Sequence, residues 1–138
     1  MLPAHASTVR LFLHVLAATI WVGGQIVLLA VVPTVRRLAG ANGTRAVARV
    51  FQFVAWPAFL VLLATGVWNL TAVHVADQSS EYLTTLFVKL VLVGISGAGA
   101  LAHTLFVRRN PALGGIAAGI GLLAALGAVF FGILLQVG

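Results

Sequence analysis

Apolar residues fill this chain in four blocks, at about 10–33, 50–73, 83–107 and 112–137, and polar residues gather in the gaps between them. Each block reaches the ~20 residues that a helix needs to cross a bilayer core. The pattern predicts four helices at about 8–33, 46–73, 81–108 and 111–137. Short connections between them imply antiparallel neighbours. The predicted fold is all-α, an integral membrane antiparallel four-helix bundle forming one domain over 1–138.

Local signals sharpen these boundaries. Asn110-Pro111 reads as an N-cap followed by proline at the first helical position. Ser79 or Ser80 can cap the third helix, with Glu81 favourably placed in its first turn. Asn42-Gly43-Thr44 is expected to break the chain after the first helix, with a basic turn from Arg45 to Arg49 leading into the second. Pro57 removes a backbone bond and is expected to kink the second helix. Trp56 and Trp68 are expected near its two interfaces. The fourth block carries Gly115 and Gly119 as a GxxxG pair, a pattern that lets helices approach closely. That surface serves packing within the bundle or a homodimer through helix 4.

Composition agrees with lipid as the main solvent. Hydrophobic residues make up 62% and charged residues 7% of the chain, against roughly 25% charged in a water-soluble domain. The first apolar block is too long for a signal-peptide core and has no small-x-small cleavage site after it, so it reads as a retained helix. The chain has no cysteine, which excludes disulfides, thiolate metal sites and iron–sulfur clusters.

The net charge of +6 could suggest nucleic acid, but its distribution points to a membrane. Arg36, Arg37, Arg45, Arg49, Arg108 and Arg109 flank one set of helix ends, whereas Arg10, Asp77 and Glu81 flank the other. Such a bias marks the cytoplasmic side. Both termini are expected outside, in a bacterial or archaeal cytoplasmic membrane.

Few residues in the apolar blocks can carry chemistry. Lys89 is the only lysine, and it lies inside the third block. A charge at the centre of a membrane helix costs about 2.5 kcal/mol or more, so the amine either snorkels outward or is used. His14 lies at a similar outer depth on the first helix. Helical spacing puts His14, Trp21 and Gln25 in one stripe and Lys89, Ser96 and His103 in another. Thr65 and Asn69 extend this polar seam from the second helix. His5 and His74 fall near the outer face, and His103 near the arginine-rich face. A neutral imidazole ligates iron, copper or zinc. The small residues Ala17, Ala18, Gly23 and Gly24 leave room near His14 for a flat macrocycle. Each residue also has a plainer role: His14 as a core histidine bonded to a carbonyl, Trp21 as packing, and His103 as an interfacial residue.

Leu13-His14, Trp21-Val22-Gly23-Gly24, Pro33 and Arg36-Arg37 together resemble the opening of the copper-resistance-D (CopD) membrane domain. Arg49-Val50-Phe51, Thr65-Gly66 and Lys89-Leu90 continue the resemblance across the chain. The His-to-Trp spacing and the lysine of the third helix are also similar to HemJ-type protoporphyrinogen oxidases, small helical membrane proteins that bind haem b. The resemblance implies haem b near the outer face between the first and third helices, with redox or electron-transfer activity. It assigns His14 as an iron ligand and Lys89 as a second ligand or a propionate partner. A ligating lysine is neutral, whereas one paired with a propionate is charged. Trp21, Gln25 and Ser96, on the stripes of His14 and Lys89, are expected to line the same site. His103 does not stand at the HemJ spacing from the lysine, so the resemblance implies haem binding more directly than the oxidase reaction.

Two other readings differ in class. Copper binding or import would use His5, His14 and His74 as an outer imidazole site, although Cu(I) paths favour Cys and Met and the chain has only Met1. A small structural membrane subunit would use the polar stripes only to hold helices together.

Overall fold

The computed structural model describes residues 5–138, so Met1 lies outside the described residues. The described chain is helical and contains no strand. Its elements are α1 (Ala6–Ala72), a 3-10 turn (Val75–Asp77), α2 (Ser80–Phe106) and α3 (Pro111–Val137). All three α-helices are long and apolar enough to cross a membrane. Large side chains such as Phe12, Leu29, Phe53 and Leu123 stand exposed on them. In water such a surface would be an aggregation liability; in a bilayer it is the lipid-facing exterior. The chain divides into two compact units, 1–74 and 75–138.

The first unit is α1, which reverses at one residue. Gly40 has φ 62° and ψ −161° and is the sole non-helical position inside α1. That conformation is open essentially to glycine alone. The expected break at Asn42-Gly43-Thr44 is therefore corrected: these residues are already helical, and the reversal falls at Gly40. Asn42 instead accepts a hydrogen bond from Arg45, one turn along. Pro33 and Pro57 both sit inside the helix with helical dihedrals.

The two limbs, 6–39 and 41–72, pack antiparallel. Contacts join His14 to Thr65 and Trp21 to Phe59, and a side chain at Gly24 would meet the ring of Phe51. A limb of 34 residues spans about 50 Å at ~1.5 Å per residue, well beyond the ~30 Å hydrocarbon core. The surplus around Gly40 carries the exposed Arg36, Arg37, Arg45 and Arg49.

The second unit is an α2–α3 hairpin with the caps that the sequence predicts. Ser79 Oγ accepts from the Tyr82 amide at 3.2 Å. Asn110 Oδ1 accepts from the Leu113 amide at 3.0 Å, with Pro111 opening α3. The helices meet almost backbone to backbone. A Cβ on Gly99 would lie 2.7 Å from the Ala117 carbonyl oxygen and 2.8 Å from Gly121 Cα. Gly114, Gly121, Ala124, Ala125 and Ala128 form the buried face of α3. The GxxxG pair does not share this face. Gly115 and Gly119 are exposed, and a Cβ on either meets nothing within 4 Å.

Candidate functional site

In the first unit, the stripe predicted on the first limb faces the second limb. His14 is half-buried, and its Nδ1 lies 2.8 Å from Thr65 Oγ1. Thr65 is 4% exposed. Its hydroxyl also lies 2.7 Å from the Val61 carbonyl and 3.2 Å from that of Leu62, the back-bonding common for Thr inside a helix. The surroundings are small: Ala17 is buried one turn below His14, and a Cβ on Gly66 would stand 3.7 Å from His14 Cε1.

Seven residues further along, Trp21 is buried in an aromatic cluster. Its ring centroid lies 4.4 Å from that of Phe59 and 5.6 Å from that of Trp56. Trp56 thus packs against the facing limb rather than serving solely as an interfacial anchor. Such aromatic pairs add about 0.5–1.5 kcal/mol each beyond area burial. Gln25 Nε2 donates to the Trp21 carbonyl at 2.9 Å, so that amide bonds within its own helix.

Arg10 was placed by the sequence only on the outer flank. It lies one turn before His14 on the same helix face. Its Nε is buried and has no hydrogen-bond partner among the described residues. The spacing of four from His14 was the available signal for this residue.

In the second unit, the stripe Lys89, Ser96 and His103 faces α3. Lys89 runs past Gly132, Ser96 is 2% exposed beside Gly121, and His103 reaches Gly114. His103 Nδ1 lies 2.8 Å from the Gly114 carbonyl oxygen. Small residues opposite each member make room for the polar side chains. An open groove lined by Leu105, Phe106, Arg108 and Arg109 lies at the C-terminal end of α2, on the far side of His103 from Lys89.

His5 precedes α1 and is exposed, its amide donating to Thr8 Oγ1 at 3.4 Å. His74 is exposed in the segment after α1. Among the described residues, no three His, Cys, Asp or Glu side chains come together as a metal site. Asn69 is half-buried near the end of α1.

No protein-family model matches the chain, and no curated protein or solved structure matches it.

Proposed function

We propose that this chain is a CopD/HemJ-like integral membrane protein that binds haem b near the outer face, with His14 as an iron ligand. Its four apolar segments, α1 counted as two, cross the bilayer as an antiparallel bundle with both termini outside. The arginines around Gly40 and after α2 support that orientation. Activity of this kind is redox or electron transfer, with haem supplying one-electron chemistry when bound.

The observation that carries the reading is the His14–Thr65 pair. An imidazole anchored through one ring nitrogen and bordered by small residues suits an axial ligand, because outer-shell partners orient the histidine that binds a metal. A single histidine can hold haem on its proximal side, so a three-residue metal cluster is not required. Arg10 adds a cation one turn outward on the same face, with a buried Nε that has no partner among the described residues. That group suits a propionate carboxylate. Lys89 enters the proposal from the sequence alone: its amine would either ligate iron as a neutral base or bind a propionate as a cation. The exposed Gly115 and Gly119 support a homodimer through α3 as a further proposal.

The test is the visible spectrum and metal content of the protein extracted from membranes. A reducible Soret band in the wild type, lost or much weakened in His14→Ala, is expected. Colourless protein with bound copper would move the assignment to copper binding or import. Colourless protein without metal would leave a structural subunit.

A further inference from the structure

Thr65 Oγ1 has one hydrogen and contacts three groups. Two of them, the carbonyls of Val61 and Leu62, can only accept. Donation of that hydrogen to the backbone of its own helix, the back-bonding common for Thr inside a helix, leaves the oxygen as an acceptor. In that arrangement the third contact, to His14 Nδ1 at 2.8 Å, takes its hydrogen from the ring.

We infer that Thr65 is a positioning residue that fixes neutral His14 as the Nδ1–H tautomer and so puts the ring's lone pair on Nε2. The consequence is directional. Nε2 points away from the hydroxyl across the ring, so Thr65 determines which nitrogen could bind a metal and how the ring is turned. A carbonyl or carboxylate usually performs this task for a ligating histidine. Here a back-bonded threonine does the same, because its committed hydrogen leaves the oxygen as an acceptor. Burial of Thr65 keeps water from competing for that oxygen.

His103 provides an internal reference. Its Nδ1 faces the Gly114 carbonyl at 2.8 Å, and a carbonyl only accepts. His103 must therefore be an Nδ1–H tautomer on independent grounds.

The tautomer is readable without any haem; only its use in ligation rests on the proposed function. The experiment is nitrogen NMR of the full chain in lipid nanodiscs, with 15N-labelled histidine, at alkaline pH where imidazole is neutral. Signals are assigned by His14→Gln and His103→Gln. The expected result is a protonated Nδ1 and a lone-pair Nε2 for both residues. Thr65→Val, similar in shape but without the hydroxyl, should shift His14 toward Nε2–H and leave His103 unchanged. Thr65→Ser should restore the wild-type pattern. Protonated Nε2 on wild-type His14, or an unchanged pattern in Thr65→Val, would overturn the inference.

A second readout separates the two layers. If the protein carries haem, Thr65→Val should weaken it by about 10–100-fold, as loss of an outer-shell partner does, and Thr65→Ser should retain it. An Nδ1–H tautomer in a protein that never binds haem would uphold the role of Thr65 and refute the haem reading. Undiminished haem affinity in Thr65→Val would overturn the use of the tautomer in ligation.

Discussion

Lys89 lies along Gly132, with its amine where a larger residue on α3 would meet it. A Cβ on Gly132 would stand 3.4 Å from Nζ and 3.5 Å from Cε of Lys89. The glycine thus makes the space through which the only lysine of the chain passes. The contact is with the far end of a flexible side chain, so it can yield. Gly132→Ala should therefore change stability little. Gly132→Leu should push the amine aside and alter its accessibility. Reductive methylation of Lys89, followed by NMR of the methylated amine, reads this directly. Methylation rate and chemical shift should be close to wild type for the alanine variant and changed for the leucine variant. Identical behaviour in both variants would show that Gly132 does not shape the path of Lys89.

The packing of α3 gives a sharper contrast. Gly99 sits against backbone atoms of Ala117 and Gly121, which cannot move aside. Gly99→Leu should force α2 and α3 apart and lower the thermal stability of the detergent-solubilised protein, by about 1–3 kcal/mol or more, as overpacking does. Gly119 faces outward with nothing within 4 Å of an added Cβ. Gly119→Leu should leave that stability near wild type. If it also converts a dimer into a monomer on a sizing column, the exposed glycine pair is the dimer face. A large loss of stability in Gly119→Leu, with little in Gly99→Leu, would invert the assigned faces.

The sequence made the helical character, the apolar spans and the orientation of the polar stripes legible. Spacings of seven put Lys89, Ser96 and His103 on one face, and that face meets α3. The same reasoning brought Thr65 toward His14. The glycine face of α3 was not legible in the same way. Gly and Ala occur on several sides of that helix, and Gly114, Gly121 and Ala128 offered a stripe as plausible as Gly115 and Gly119. The reversal at Gly40 was missed for a different reason. Asn42-Gly43-Thr44 carries stronger turn chemistry, yet helix extension from both sides outweighs it and leaves one glycine to make the turn. Arg10 was hidden because one-dimensional charge counting treats every arginine near a helix end as solvated.

Arg10 now has a testable role of its own. Its position one turn before His14, with a buried Nε that has no partner among the described residues, suits a carboxylate beside the ring. If haem binds with a propionate there, Arg10→Leu should lower haem retention while the ligand-field bands stay unchanged, because no iron ligand is lost. Hydrogen bonds to charged groups contribute about 1.5–3 kcal/mol, which corresponds to roughly ten- to hundredfold in affinity. Arg10→Lys should recover part of that loss, since it keeps the charge but not the planar fork. Haem titrations with spectra of each variant separate the outcomes. A shifted spectrum in Arg10→Leu would implicate the ligand sphere instead, and unchanged affinity would remove Arg10 from the site.

The membrane orientation can be tested with single cysteines, and the local structure decides where they go. Gly43 is unsuitable, because an added side chain there would collide with Ala39. Ser79 is unsuitable because its hydroxyl caps α2. Ala41 and Ala76 are both exposed, beside the Gly40 reversal and in the turn before α2 respectively. The chain has no natural cysteine, so each variant carries one thiol. The arginines around Gly40 predict that this end faces the cytoplasm. An impermeant thiol reagent applied to intact cells should therefore label Ala76→Cys and spare Ala41→Cys. Permeabilisation should then expose Ala41→Cys to the same reagent. Labelling of Ala41→Cys alone in intact cells would reverse the topology and move His14 to the cytoplasmic half of the membrane. Labelling of both in intact cells would mean that the two turns share one side, and the proposed four-crossing arrangement would fail.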